Sequence, residues 1–335
     1  KLQVLDKKSD MAQMTGFDDG EEETVINLTV KPGMKQGWFG NAYGGYGSKD
    51  RYEGNAMVNR FVNNDQITFM GGANNTNNMG FSDLASTMFS GMGGGGGRRG
   101  GFGAGSGITS SGNAGLNFSK EFKPDKLTLG GNTRYSHSDN DARSKSDRQN
   151  ILPGDSSSYD NSEAMSRTKS DNFGVDFRLE WKPDTMTQLI FRPSFSFSHS
   201  MNDNFSDATT LDNERDTVNT NKSSNYSESN GYNLNASIDF SRKLNNKGRV
   251  FSATLSGGNS DSYSDGMNRS DIVYFNQTDA LKNSIIDQRS RYDNKGFNYR
   301  AYVSWVEPIG HNNFIQATYS ISQRKQEALK NVYNQ

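Results

Sequence analysis

The sequence predicts an all-β fold, the wall of an antiparallel transmembrane β-barrel with about eleven strands. Three observations predict it. Apolar residues recur with a period of two over stretches of about 9–13 residues, longer than the ~5–6 of an ordinary globular strand. Short connections alternate with long ones along the chain. All three tryptophans fall at strand ends on the short-turn side.

Taken in order, the strands begin with noisier alternation at 37–47, 51–62, 65–73 and 111–122. Lys126–Ser138 then sets Leu127, Leu129, Thr133 and Tyr135 against Thr128, Asn132, Arg134 and Ser136. In Asn172–Trp181, Phe173, Val175, Phe177, Leu179 and Trp181 alternate with Gly174, Asp176, Arg178 and Glu180. Gln188–Ser200 opposes Leu189, Phe191, Pro193, Phe195 and Phe197 to Arg192, Ser194, Ser196 and Ser198. Tyr232–Ser241 opposes Tyr232, Leu234, Ala236, Ile238 and Phe240 to Asn233, Asn235, Ser237 and Asp239. After a noisier strand at 249–260, Tyr299, Ala301, Val303 and Trp305 face away from Asn298, Arg300 and Ser304. Last, Ile315, Ala317, Tyr319 and Ile321 oppose Gln316, Thr318, Ser320 and Ser322. Alternate residues of a strand point to opposite sides, so each of these strands has one apolar and one polar face.

Asn63-Asn64-Asp65, Lys123-Pro124-Asp125, Lys182-Pro183-Asp184-Thr185, Asn245-Asn246-Lys247-Gly248 and Pro308–Asn313 are short and carry turn chemistry. Between them lie segments of about 74–110, 139–170, 201–230 and 261–295, rich in Ser, Asn, Asp and Gly and expected to be long loops. Only the first pair of strands breaks the rule, being joined by the short Gly47–Asp50 turn. Trp38 opens the first strand, Trp181 precedes Lys182-Pro183-Asp184 and Trp305 precedes Glu307-Pro308. Short turns on one rim, long loops on the other and interfacial aromatics describe a barrel with lipid outside and an aqueous lumen inside. A closed antiparallel sheet pairs all its own N–H and C=O groups, as hydrocarbon demands. A soluble sandwich or solenoid also alternates, but it does not explain these three features together.

The expectation is therefore an outer-membrane protein of a Gram-negative bacterium, with membrane lipid its first partner, periplasmic short turns and extracellular loops. Bacterial single-chain barrels close with an even number of strands. Eleven is odd, and Lys1–Asp10 has no apolar signal-peptide core, so both ends are expected to be truncated.

Composition fits this reading and excludes others. The 335 residues carry 37 Lys+Arg against 38 Asp+Glu, no cysteine, 36 glycines and 6 prolines. Near-zero net charge with 11% aromatic residues argues against a disordered charged tail. The mean hydropathy of -0.87 and the lack of any ~20-residue apolar run exclude a helical membrane protein. Without cysteine there is no disulfide framework, thiol nucleophile or Cys-ligated zinc.

Residues 1–36 are of a different kind. A strand with Leu2, Val4 and Leu5 leads to Gly16-Phe17-Asp18-Asp19-Gly20, and a second, Thr24–Val30, stops at Lys31-Pro32-Gly33. This acidic, glycine-bearing turn followed by Ile26-Asn27-Leu28 resembles the end of the plug domain in TonB-dependent outer-membrane receptors. Gly37–Phe61 resembles the first barrel hairpin of the same family, and the whole chain resembles its receptor-like outer-membrane β-barrel branch. The resemblance implies a barrel of about 22 strands, of which 37–335 is the first half. It also implies energy-coupled uptake of a small nutrient, with TonB engaging a segment before Lys1, and leaves room for a lipoprotein or other outer-membrane subunit. A barrel that acts only as a scaffold in a larger complex, and a secreted soluble β-rich adhesin, are the competing expectations.

Among side chains, Arg134, Asp176, Arg178, Glu180, Arg192, Asp239 and Arg300 share the lumen parity and are the candidate lumen-lining groups. Cross-strand wall ladders are their simplest role; substrate or plug gating is the alternative. Trp38, Trp181 and Trp305 are the expected interfacial aromatics. Gly91–Gly107 lacks the Lys-Ser/Thr of a phosphate loop, and Arg98 with Arg99 is too little charge for nucleic acid, so it reads as a glycine-rich loop. His137 and His199 are expected at outer strand ends and His311 in a periplasmic turn, too far apart to share a metal. Asp139-Asn140-Asp141 and Asp203–Asp207 lack the ligand spacing of a calcium loop and read as solvated loop. No nucleophile motif or zinc-protease motif occurs, so no catalytic, metal or cofactor site is expected.

Overall fold

A computed structural model describes residues 2–8, 22–28, 36–77, 107–151, 157–245, 248–275, 282–309 and 313–334. Near the N-terminus, β1 (Leu2–Lys8) and β2 (Glu22–Leu28) form their own antiparallel two-stranded sheet, with Val4 opposite Ile26. The remaining strands form one eleven-stranded sheet in which every neighbour in sequence is a neighbour in space. They are β3 (Gln36–Gly47), β4 (Arg51–Val62), β5 (Asp65–Asn74), β6 (Ile108–Lys123), β7 (Leu127–Asn150), β8 (Ser158–Trp181), β9 (Thr187–Leu211), β10 (Thr217–Lys243), β11 (Val250–Tyr274), β12 (Lys282–Pro308) and β13 (Phe314–Asn334). The strand number agrees with the alternation count. The sheet is open, with β3 and β13 as its edges.

Turn chemistry sets the register. Asn63 adopts a φ of 57° in the two-residue β4–β5 turn, and Asp125 adopts 56° after Pro124. Asn and Asp tolerate this left-handed conformation better than other non-glycine residues. The short-turn rim is also stitched sideways: Lys182 N–H donates to Lys126 O at 2.7 Å, and Lys243 N–H donates to Met186 O at 2.8 Å. There Arg249 grips Glu307 with two hydrogen bonds, Nε to Oε2 at 2.7 Å and Nη2 to Oε1 at 2.5 Å.

Strands β7 to β12 are much longer than expected, from 24 residues in β7 and β8 to 27 in β10 and β12. Three of the four expected long loops are instead mostly ladder. Residues 139–150 pair with 158–167 and beyond, 201–211 with 217–228, and 261–274 with 282–295. The connections left at this rim run only over 151–157, 212–216 and 275–281. Of the fourth segment, 78–106 lies outside the described residues, as does most of the glycine-rich run. The acidic clusters Asp139–Asp141 and Asp203–Asp207 are consequently strand, not loop. His137 and His199 sit inside strands rather than at their ends, and His311 is outside the described residues.

These extensions form strands because their period of two survives without hydrophobicity. In 138–146, Asp139, Asp141, Arg143 and Lys145 alternate with Ser138, Asn140, Ala142, Ser144 and Ser146. In 163–171, Glu163, Met165, Arg167, Lys169 and Asp171 alternate with Ala164, Ser166, Thr168 and Ser170. One face of the ladder holds ion pairs and the other small hydroxyl and amide pairs such as Ser138–Ser170 at 3.0 Å and Ser229–Ser264 at 2.8 Å.

Candidate functional site

The site is the sheet's pair of faces. Following partners across the ladder, Asn59, Thr68, Asn117, Asn132, Asp176, Ser194, Asn235, Gly258 and Asn298 make one transverse row. The other face carries the row Leu129, Leu179, Phe191, Ile238, Leu255, Ala301 and Ile321. The separation of polar from apolar holds from strand to strand, which a one-residue slip anywhere would have reversed.

Burial on these faces is inverted relative to a soluble protein. Every buried side chain among the described residues, including Asn59, Thr68, Asn132, Ser252, Ser304 and the few apolar ones such as Met70 and Ile190, belongs to the polar face. Phe177, Phe197, Leu234, Ile238, Leu255, Phe297, Ile321 and the three tryptophans are exposed on the apolar face. Crowding on one side and splaying on the other is the signature of a curved sheet whose concave side is polar. A monomer in water rarely exposes contiguous apolar surface beyond a few hundred Å².

The exposed apolar surface is a belt with two edges. In β8 it runs from Phe173 to Trp181, about nine residues or ~27 Å of strand. At the short-turn edge stand Trp38, Trp181 and Trp305, all three on the apolar face. Arg60 lies over the Trp38 ring, 5.3 Å from its centroid, and Trp305 Nε1 donates to Glu307 Oε2 at 3.1 Å. The other edge follows at once on the same face. Beyond Tyr135 and Phe173 come His137 and Asp171, then Asp139 with Arg167 at 2.7 Å and Lys169 at 3.6 Å. The Arg167 hydrogen bonds hold the Asp139 carboxyl below the usual carboxylate range.

The tryptophans do not share one ladder row. Trp38's row reaches β8 at Phe177, four residues before Trp181. Trp181's row reaches β12 at Val303, two residues before Trp305. Both offsets run the same way. If the indoles mark one depth, the strands slip by roughly 0.7 residue each, ~2.3 Å per ~4.8 Å of strand spacing, a tilt of about 25°. Barrel geometry requires strand tilt, with ~35–45° typical.

All seven predicted charges lie on the polar face, at the depth of the belt. Arg192, Ser237, Ser256 and Arg300 form one row, and on β8 Arg178 lies on the same face between the pairs Asp176–Ser194 and Glu180–Ile190. The adjacent row toward the short turns holds Glu180, Ile190 and Asp239. An arginine row therefore lies against a carboxylate row. Arg192 pairs with Asp239, which also accepts the Thr254 hydroxyl at 2.8 Å. Arg178 Nη2 is 3.4 Å from Glu180, and Glu180 also accepts from Lys182 at 2.7 Å and Gln188 at 2.9 Å. Asp176 accepts from Asn132 at 2.7 Å, and Arg134 lies across Gly174 close to where a Cβ would stand. Asp176, Arg178 and Glu180 line a hollow of about 110 Å³ over Gly130 and Gly131. Six of the seven are thus wall groups with polar partners or tight neighbours; Arg300 is not.

A groove of about 720 Å³ at the short-turn rim, between the β6–β7 and β8–β9 turns, was not anticipated. Lys126, Lys182 and Lys243 line it. Its cations come from three separate turns, so no local motif marked it. Among the described residues no group of three metal-ligating side chains occurs. No protein-family model and no curated protein matches the sequence.

Proposed function

We propose that the chain is part of the wall of an outer-membrane β-barrel, its apolar face on lipid and its polar face on an aqueous bore. The observation that carries this reading is the inverted burial: the sheet buries Ser, Thr and Asn side chains and exposes Phe, Leu, Ile and Trp. In water this arrangement is strongly unfavourable, at roughly 25 cal/mol per Å² of apolar surface left wet. In a bilayer it is the expected one.

Within that reading the protein is a TonB-dependent receptor-like transporter, with residues 1–36 the end of a plug and the nutrient met by the outer hairpins. Support for the transport step is the likeness of Lys1–Phe61 to that family. Substrate-driven release would require substrate and TonB to bind plug states with different affinity. A scaffold role is favoured by one specific feature. The β9–β10 hairpin continues beyond Phe197 as regular ladder to Thr210, with a register shift before the last pair Leu211–Thr217, a stiff projection suited to holding another protein.

Expressed in full, the protein is expected to require detergent for extraction, to migrate differently before and after boiling, and to support uptake only with energy coupling intact. Solubility without detergent would instead identify a secreted adhesin. Membrane integration with growth independent of energy coupling would leave the scaffold.

A further inference from the structure

The geometry points to Arg300, with Arg324 beside it, as a recognition subsite for a small anionic solute bearing a carboxylate or phosphate. The inference rests on the reading of the polar face as the wall of an aqueous bore.

Arg300 differs from the other arginines at belt depth in having a complete neighbourhood without a carboxylate. Its ladder partners are Ser256 on β11 and Ser322 on β13. Its diagonal neighbours on the same face are Thr254, Gly258, Ser320 and Arg324, and along β12 it is flanked by Asn298 and Tyr302. Since β12 is paired on both sides, no further strand can supply the missing charge. The polar face of β11, β12 and β13 bears Arg300, Arg324 and Lys330 and no Asp or Glu at all among the described residues.

Elsewhere on this face arginine has been matched with acid, Arg192 with Asp239 and Arg178 with Glu180. An ionisable side chain at membrane depth that has no wall partner marks a functional contact by default. Arg300 is exposed and its partners Ser256, Ser322 and Gly258 are small, so the guanidinium stands clear of its surroundings. A planar guanidinium binds carboxylate or phosphate through two parallel N–H bonds, and Arg324, one diagonal step away, adds a second fork. Hydroxyls of Ser256 and Ser322 and the Asn298 amide supply neutral donors around it. No covalent step is involved.

The test is calorimetric titration of the full-length protein in detergent micelles with succinate and with inorganic phosphate at low ionic strength. Vesicle flotation of the same samples runs alongside. Arg300→Gln is expected to weaken both anions by about tenfold or more, and Arg300→Lys by less, because the fork is lost but the charge stays. Arg289→Gln, on the opposite face, is expected to leave binding as in the wild type. Equal binding by wild type and Arg300→Gln overturns the proposal even if both float with vesicles. Arg300-dependent binding by a protein that does not float keeps the subsite and removes the membrane reading. If neutralising Asp18, Asp19, Glu21, Glu22 and Glu23 together raises succinate affinity by tenfold or more, the occupant is the chain's own acidic run. The solute proposal then fails.

Discussion

His137 Nδ1 and Asp171 Oδ1 lie 2.7 Å apart across the β7–β8 ladder, one step beyond the pair Tyr135 and Phe173. The Tyr135 hydroxyl reaches up to the same carboxylate at 2.6 Å. On β7 and β8, two residues therefore separate the aromatic row of Tyr135 and Phe173 from an ionised group on the same face.

That contact gives a pH dependence of defined sign. The Tyr135 hydrogen bond first, and then His137, hold the Asp171 carboxyl below the usual carboxylate range. A lowered carboxylate stabilises the fold above its unfolded value of ~3.9, and the stabilisation is lost as pH falls through the lowered value. Asp171→Asn is expected to cost less than about 1 kcal/mol at pH 7, the groups being partly exposed, and to flatten the acid limb of unfolding. Denaturant titrations of both proteins from pH 6 down to pH 3 check this.

Leu234 and Asn233 are adjacent and both exposed, but they lie on opposite faces. Arginine at Leu234 is expected to destabilise the protein in vesicles by about 2–4 kcal/mol, the cost at mid-depth on a lipid face. Arginine at Asn233 is expected to cost within about 0.5 kcal/mol, as an exposed polar substitution does. Urea unfolding in vesicles compares the two.

The Arg192–Asp239 pair sits about one-fifth exposed on the polar face. Removing either partner alone is expected to cost about 1–3 kcal/mol, because the other is left charged and half-buried. The double change Arg192→Gln with Asp239→Asn is expected to cost less than the sum, a coupling of about 1 kcal/mol or more in a double-mutant cycle.

Much of the fold was legible in the sequence, and the part that was not has a single cause. Phe173–Trp181 and Leu189–Phe197 announce themselves because their alternation is between apolar and polar residues. In Ser138–Ser146 the alternation is between charged residues and Ser, Asn or Ala, and a hydrophobicity scale scores both as polar. The strand period was present but written in charge and size, so the extensions looked like loops. The polar-face charges were identifiable from parity alone. Their sorting into wall pairs and a lone Arg300 was not, because it depends on which residue of the next strand stands opposite, and that register is set by turns such as Asn63-Asn64 and Pro124-Asp125.

Since the chain has three tryptophans, single-tryptophan variants are simple to make. Trp38, Trp181 and Trp305 occupy different ladder rows, and a strand tilt of about 25° is what would bring them to one depth. Depth-dependent quenching by brominated lipids is expected to be the same for all three and strongest near the headgroup level. Quenching that differs in the order of their ladder rows would mean untilted strands.

The central claim is that one face of the sheet meets acyl chains while the other meets water. The 335 residues contain no cysteine, so spin labels can be placed one at a time from Phe173 to Trp181 in vesicles, with any cysteine elsewhere in the full-length protein changed to serine. The account predicts that collision with dissolved oxygen peaks at 173, 175, 177 and 179, while collision with a water-soluble nickel complex peaks at 174, 176, 178 and 180. Odd positions shielded from both reagents would place Phe173 and Phe177 in a dry protein interior and contradict it.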